Sequence, residues 1–159
     1  MICGYTSAKD FFDAVRDAAV ERERTASLLS AQRARADLHA QRYDRPMAGG
    51  VSDPMAPVDE LVEMERLYSE RLAADEALLR KAAELLYGVD GRGGVAALLG
   101  SETADLMFWR YCDAKKWASV AAAMKRSRAW CASREAMAFD LIDSLGSDRV
   151  IGGDGCAED

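Results

Sequence analysis

Two long stretches almost free of glycine and proline limit the folds open to this chain more than any other feature. The first runs from Ser7 to about Gln41, and the second follows Pro57 and reaches Tyr87. Apolar residues recur in both at the helical spacings of three, four and seven, between many charged residues. The stripes are Phe11, Val15, Ala18, Ala26, Leu29, Ala36, Ala40 and Tyr43, then Leu61, Met64, Tyr68, Leu72, Leu78 or Leu79, Ala82 and Leu86. Both stretches therefore predict long amphipathic helices.

Local signals place the ends of these two helices. Ser7 followed by Asp10 resembles a capping box, and Pro57 suits the first position of a helix. The segment 44–56 between them, rich in proline and glycine, predicts a loop. Neither stripe is apolar enough for a lone helix in water, so we expect an antiparallel helical hairpin that self-associates in the manner of a coiled coil. Packing within one chain and packing between chains both remain open at this point.

Glycine also marks the boundaries of the predicted domains. The segment GVDGRGG, residues 88–94, contains four glycines and lacks the preceding strand and the following Gly-Lys-Ser/Thr of a phosphate loop. We therefore predict a hairpin domain at 1–87, a Gly-rich linker at 88–100 with one short helical turn, and a C-terminal module at 101–145. The remainder, 146–159, is expected to be a flexible acidic tail.

The charge of the chain is unevenly distributed. Lys and Arg number 21 against 27 Asp and Glu, for a net charge of −6. Residues 110–134 nevertheless hold seven basic residues and one acid, so this window carries +6 and the rest of the chain carries −12. A basic segment on an acidic body is compatible with a localised nucleic-acid interface.

The sequence of the C-terminal module predicts three short helices. Ser101 is expected to cap a helix that reaches Cys112, and a turn over 113–116 leads to the helix Trp117–Met124. Lys125 and Arg126 break this helix, and Ser127 is expected to cap the last one. Trp117 and Val120 would fill the core, while the small residues Ala121, Ala122 and Ala123 would let the last helix cross closely. A short helix, a three-residue turn and a longer helix form a helix-turn-helix.

This arrangement predicts a DNA-binding site. Arg128, Ala129, Ala132 and Ser133 would face the major groove from the first turns of the last helix. The flanking turns would contact phosphates. The complete predicted set is Lys115, Lys116, Lys125, Arg126, Ser127, Arg128, Ala129, Ala132 and Ser133.

A family resemblance rests on these residues. The segment 110–121, RYCDAKKWASVA, followed by Ser127 and Ala138-Phe139, resembles small phage and prophage regulators related to sigma-70 region 4, including the ArpU and RinA groups of late-operon activators. The loop with Ser52-Asp53-Pro54 between two long polar helices is similar as well. The resemblance implies a sequence-specific regulator of transcription that binds double-stranded DNA. Its helical hairpin would supply a homodimer contact or a contact with RNA polymerase.

Two other functions compete with this interpretation. A helical adaptor would use the same three helices to bind protein, because a fold of this kind does not by itself decide the partner. A packaging protein resembling a terminase small subunit would also bind DNA and oligomerise.

Catalysis, metal binding and membrane insertion are not expected. The chain has one histidine, His39, and no Glu-x-x-His or C-x-x-C motif, so no enzyme activity, metal or cofactor is predicted. Cys112 and Cys131 are expected to be small buried thiols. The longest uncharged run is the nine residues from Gly93 to Ser101, and no basic and apolar leader opens the sequence. We therefore expect a cytoplasmic protein.

Overall fold

The computed structural model describes residues 4–43 and 56–153, with side chains over 4–38 and 59–153. The elements in these ranges are helices, which confirms the all-α class. They are α1 (Ala8–Tyr43), α2 (Ala56–Tyr87), α3 (Gly94–Leu99), α4 (Ser101–Met107), α5 (Trp117–Met124), α6 (Arg128–Leu145) and α7 (Ser147–Gly152). A π-helical segment, Phe108–Cys112, continues α4. The predicted loop, apart from Ala56, and the side chain of His39 lie outside the described residues.

The described residues divide into two compact units. One contains the chain up to Val20 and from Ala77 onwards, and the other is Glu21–Glu76. The sequence prediction instead groups residues 1–87 in one domain. The difference arises because the first turns of α1 and the last turns of α2 bury their apolar residues in the same core as the C-terminal helices.

The first unit has a single apolar core. Its largest fully buried side chains are Phe11, Phe12, Val15, Leu85, Leu86, Val95, Leu106, Met107, Val120, Ile142 and Val150. The ring centroid of Phe12 lies 5.3 Å from that of Tyr111 and 6.0 Å from that of Phe139. Burying one such phenylalanine contributes about 1.5–3 kcal/mol, so α1 is anchored to the C-terminal helices by its first turns.

The start of α1 is capped from two directions. Ser7 Oγ accepts a hydrogen bond of 3.1 Å from the Asp10 amide, as the capping motif predicts. The Ala8 amide donates to Asp143 Oδ1 of α6 at 2.7 Å. These contacts satisfy amide groups that the first turn of a helix leaves without intrahelical acceptors.

Within the second unit, ion pairs join α1 and α2. Arg33 pairs with Glu65 at 2.8 Å, and Glu21 pairs with Arg71 at 3.2 Å. The later residue of α1 thus pairs with the earlier residue of α2, and the earlier with the later, so the two helices run antiparallel in this unit. Thr25 and Leu29 are buried in this unit. Because the paired side chains remain between 32% and 60% exposed, each pair adds about 1 kcal/mol or less.

The glycine segment before α4 is tightly packed, in contrast to the predicted linker. A side chain on Gly93 would place its Cβ 2.0 Å from the Ile151 carbonyl oxygen, and one on Gly94 would lie 2.6 Å from the backbone of Leu86. Gly94 also has a φ of +78°, which side chains disfavour. Val95, next in the chain, is fully buried. The glycines therefore allow close backbone contact within the first unit.

The predicted flexible tail begins instead with a helix. Residues Ser147–Gly152 form α7, and Val150 is fully buried in the core of the first unit. The glycines and acids of this segment suggest a tail, but the pair Val150-Ile151 supplies the apolar surface that holds α7 in place. Residues 154–159 lie outside the described part of the chain.

None of the helices in the described ranges combines the length and the apolar character that crossing a membrane requires.

Candidate nucleic-acid interface

The turn between α5 and α6 is held by hydrogen bonds of the C-terminal capping type. The Lys125 amide donates to the Ala122 carbonyl at 3.2 Å, and the Arg126 amide donates to the Ala121 carbonyl at 3.1 Å. This pair of hydrogen bonds is the Schellman motif, whose left-handed residue is usually glycine. Here that residue is Lys125, with φ 54° and ψ 38°. The helix therefore ends at Met124, as the sequence predicts.

Ser127 starts α6. Its backbone is extended, and its Oγ accepts a hydrogen bond of 3.1 Å from the Trp130 amide. The cap predicted at this position is confirmed. The other predicted cap is wrong, because Gly100 occupies the position before α4 and Ser101 is the first helical residue.

Apolar residues of α5 and α6 hold the two helices against α4. Val120, Cys131, Ala138 and Ile142 are fully buried, and Cys112 is also buried, as predicted for the two thiols. Burial raises the pKa of the Cys131 thiol. Trp117 is half-buried against this core.

The alanines of α5 differ from the prediction. Ala121 is partly buried, but Ala122 and Ala123 are exposed. Only Ala121 therefore lies where it can permit a close approach of α6, because the helix turns the other two residues towards solvent.

The outer side of α6 is open over its first turns. Arg128, Ala129, Ala132 and Ser133 are all exposed, and their spacing places them on one side of the helix. The opposite side carries the buried Cys131. The structure therefore brings together on one surface the four residues predicted to read DNA.

The flanking cations fall into two groups. Lys116, Lys125 and Arg128 are exposed and make no ion pair with any residue that the structure describes. Lys115 pairs with Asp113 at 3.3 Å, and Arg126 pairs with Glu102 at 3.1 Å. Three of the five predicted cations are thus available to a phosphate without breaking an internal ion pair.

Four basic residues lie against tryptophan rings. The Lys115 ammonium lies 5.0 Å from the Trp109 ring centroid, and the Arg110 guanidinium lies 5.0 Å from that of Trp117. Both Arg126 and Arg134 lie against Trp130, at 5.0 and 5.4 Å. Sequence reasoning missed Arg134, although its spacing of four residues from Trp130 on a helix was a usable signal.

A partly buried hydrogen bond connects α6 to the π-helical segment. The Tyr111 hydroxyl donates to the Glu135 carboxylate, and Tyr111 is 4% exposed. Burial, followed by this hydrogen bond, raises the pKa of Tyr111 above its ordinary value of 10.0. Burial and a hydrogen bond of 2.7 Å to Asp105 raise the pKa of Tyr87 in the same direction.

These two tyrosines predict a loss of stability in alkali. Because the folded state holds their protons more tightly than the unfolded state does, their contribution is complete below pH 10.0 and declines as the pH rises above it. Thermal unfolding measured between about pH 8 and pH 11 should show the decline. The double variant Tyr87→Phe/Tyr111→Phe should show a shallower decline than the parent protein, and equal slopes would contradict the assignment.

The strained backbone at Lys125 leads to a second prediction. Lys125→Gly should raise the free energy of unfolding by up to about 1 kcal/mol, because glycine adopts the left-handed conformation without a Cβ clash. Lys125→Ala is the control, since it removes the same charge and keeps the Cβ. Chemical denaturation should find only the glycine variant more stable. A stability gain of the same size in both variants would show that charge, and not backbone strain, is responsible.

Comparison with protein-family models, with curated proteins and with solved structures finds no match for this chain.

Proposed function

We propose that this protein binds duplex DNA through α5 and α6, as a helix-turn-helix regulator of transcription of the phage type resembling sigma-70 region 4. The observation that carries the proposal is the exposed outer side of α6, with Arg128 as its first residue and Lys125 in the turn before it. A third exposed cation, Lys116, occupies the position before α5. Most side chains on that surface are small, so the helix backbone can approach base edges closely. The cations lie at the start of α6 and in the adjacent turns, where a helix in the major groove meets phosphates.

The distribution of charge along the chain and the strained backbone at Lys125 both support the outer side of α6 as the DNA contact. Residues 110–134 carry +6 on a chain of −6, which concentrates positive potential at this end. A lysine at the left-handed position of the turn, where glycine costs less, is consistent with a role for its side chain. Electrostatic attraction of this kind is expected to make binding strongly dependent on salt.

The long helices α1 and α2 are proposed to form the antiparallel hairpin that joins two copies of the chain. The ion pairs Arg33–Glu65 and Glu21–Arg71 support the antiparallel arrangement within one chain. A dimer would double the number of phosphate contacts and set the spacing of two half-sites on the duplex. RNA polymerase is proposed as a further partner, and the cytoplasm as the location.

The experiment that tests DNA binding starts from a duplex library with roughly 20 random base pairs, about two helical turns. The full chain is expected to enrich a defined sequence. Fluorescence anisotropy on that duplex should show an affinity that falls with salt, each phosphate contact contributing about −0.9 to the logarithmic slope. Failure to enrich any sequence, together with no salt-dependent binding of the starting library, would favour the protein adaptor instead.

A further inference from the structure

Arg134 lies on the edge of α6 opposite to the edge that carries Arg128. Arg128 precedes the buried Cys131 by three residues, and Arg134 follows it by three. Because a helix turns about 100° per residue, the two arginines lie about 60° to either side of the buried direction. The exposed surface with Ala129 and Ala132 lies between them on the outer side. The outer side of α6 therefore has an arginine on each edge.

The ring of Trp130 brings Arg134 close to Arg126. The Arg126 guanidinium lies 5.0 Å from the ring centroid, and the Arg134 guanidinium lies 5.4 Å from the same centroid. An aromatic ring attracts a cation in this position and restricts the directions in which the side chain extends. Arg126 and Arg134 are therefore neighbours in space, and they are called the Trp130 arginine pair below.

One carboxylate already contacts this pair. Arg126 Nη2 donates to both carboxylate oxygens of Glu102, on α4, at 3.1 and 3.3 Å. The two side chains are 46% and 56% exposed, so the contact lies at the surface of the first unit. Guanidinium groups bind phosphate oxygens as they bind carboxylate oxygens. The Glu102 carboxylate thus marks a position where an oxyanion meets the Trp130 arginine pair.

Arg134 has no acid of its own in the part of the chain that the structure describes, where it makes no ion pair. Its neighbours three and four positions away on the helix are uncharged: Trp130, Cys131, Met137 and Ala138. The adjacent Glu135 accepts a hydrogen bond from Tyr111 on the buried side of α6. The two cations of the Trp130 arginine pair therefore share one contacting carboxylate, which leaves positive charge for a further anion.

We infer that Arg134 and Arg126 together bind a phosphodiester group of the duplex, on the edge of α6 opposite to Arg128. The inference rests on the DNA binding proposed above and adds Arg134 to that site. A helix in the major groove has a sugar-phosphate backbone on either side, so contacts from both edges fix its position across the groove. In the free protein Glu102 contacts Arg126, and phosphate replaces this carboxylate on binding. Glu102 therefore weakens binding of DNA.

Substitution of Arg134 tests the phosphate contact, with fluorescence anisotropy as the measurement. Arg134→Gln should weaken binding of the selected duplex about eightfold at roughly 0.1 M salt and reduce the logarithmic salt slope by about 0.9, the share of one phosphate. A scrambled duplex should lose affinity by the same factor, since phosphates carry no sequence information. Arg134→Lys should retain most of the affinity. Arg149→Gln, at an exposed arginine of α7, is the matched control and should leave the affinity unchanged.

Substitution of Glu102 tests the exchange of carboxylate for phosphate. Glu102→Gln should bind the duplex more tightly, by up to about fivefold, because an exposed ion pair of this kind shifts an equilibrium by no more than this. Glu76→Gln, at an exposed acid of α2, makes the same change in net charge and should leave the affinity unchanged.

Side-chain NMR tests direct contact in the wild-type protein, so this measurement does not depend on any variant being folded. The Nε–Hε signals of Arg126 and Arg134 should shift when the ¹⁵N-labelled full chain is titrated with the selected duplex. Inorganic phosphate, at the same concentration of phosphate groups, is the second titrant and should leave both signals in place.

The outcomes separate this inference from the proposed function. A wild-type chain without salt-dependent binding of duplex DNA would overturn both. Salt-dependent binding that Arg134→Gln and Arg149→Gln leave equally intact would overturn the inference alone, as would an unchanged Arg134 signal on binding. Equal shifts with inorganic phosphate would overturn the assignment to the duplex backbone. If Glu102→Gln bound no more tightly than Glu76→Gln, the exchange at Arg126 would be wrong.

Discussion

The triple variant Lys116→Glu/Lys125→Glu/Arg128→Glu is expected to bind the selected duplex at least about 100-fold more weakly than wild-type protein. These three cations are exposed and make no ion pair in the described part of the chain. Arg128 is the first residue of α6, Lys125 lies in the turn before it, and Lys116 precedes α5. If these cations contact phosphates as proposed, each replacement removes such a contact and adds a charge that phosphate repels. Anisotropy on the selected duplex measures the loss.

Unfolding does not account for the expected loss of binding. An acid at Arg128, the first residue of α6, interacts favourably with the helix dipole, and glutamate at Lys125 has the same Cβ as the lysine it replaces. The thermal unfolding temperature should therefore remain close to that of the wild type.

A second triple variant, Arg22→Glu/Arg80→Glu/Lys81→Glu, is the control for the change in net charge. These residues are also exposed, and both variants reach a net charge of −12. The control is expected to keep most of the affinity. Equal loss in the two variants would mean that overall charge governs binding, and α6 would then have no special role.

Gly93→Ala is expected to destabilise the first unit by more than about 4 kcal/mol, among the largest effects of a single substitution. The added Cβ would lie 2.0 Å from the Ile151 carbonyl oxygen, and this neighbour is backbone that cannot rotate away. Because the contact joins the segment before α3 to α7, both helices should loosen together. Chemical denaturation, followed by circular dichroism, measures the effect.

Gly91→Ala is the matched control for Gly93→Ala. Gly91 has a φ of +71°, and a Cβ added to it would meet no atom within 4 Å, so alanine there costs only about 1 kcal/mol of backbone strain. If the two variants were equally stable, the segment 88–100 would behave as the linker that its composition suggests.

Local sequence signals predicted the helices well. Ser7, Ser127 and the Gly88 that follows α2 mark helix ends through hydrogen bonding and backbone preference, which depend on a few neighbouring residues. The exposed side of α6 followed from the same reasoning, because helical spacing fixes which residues share a face.

Contacts between distant segments could not be predicted in this way. The packing of Gly93 against Ile151 and the burial of Val150 depend on how separate helices meet, and composition alone suggested a linker and a tail. The ion pair of Arg126 also required the structure, since the Glu102 that binds it is 24 residues away.

Amide chemical-shift mapping tests the proposed interface most directly. The ¹⁵N-labelled full chain is titrated with the selected duplex, and with a scrambled duplex of the same composition as control. The largest changes are expected at Arg128, Ala129, Ala132 and Ser133, with smaller ones at Lys116 and Lys125. Changes confined to residues 21–76, or equal changes with both duplexes, would contradict the proposal that α6 reads DNA.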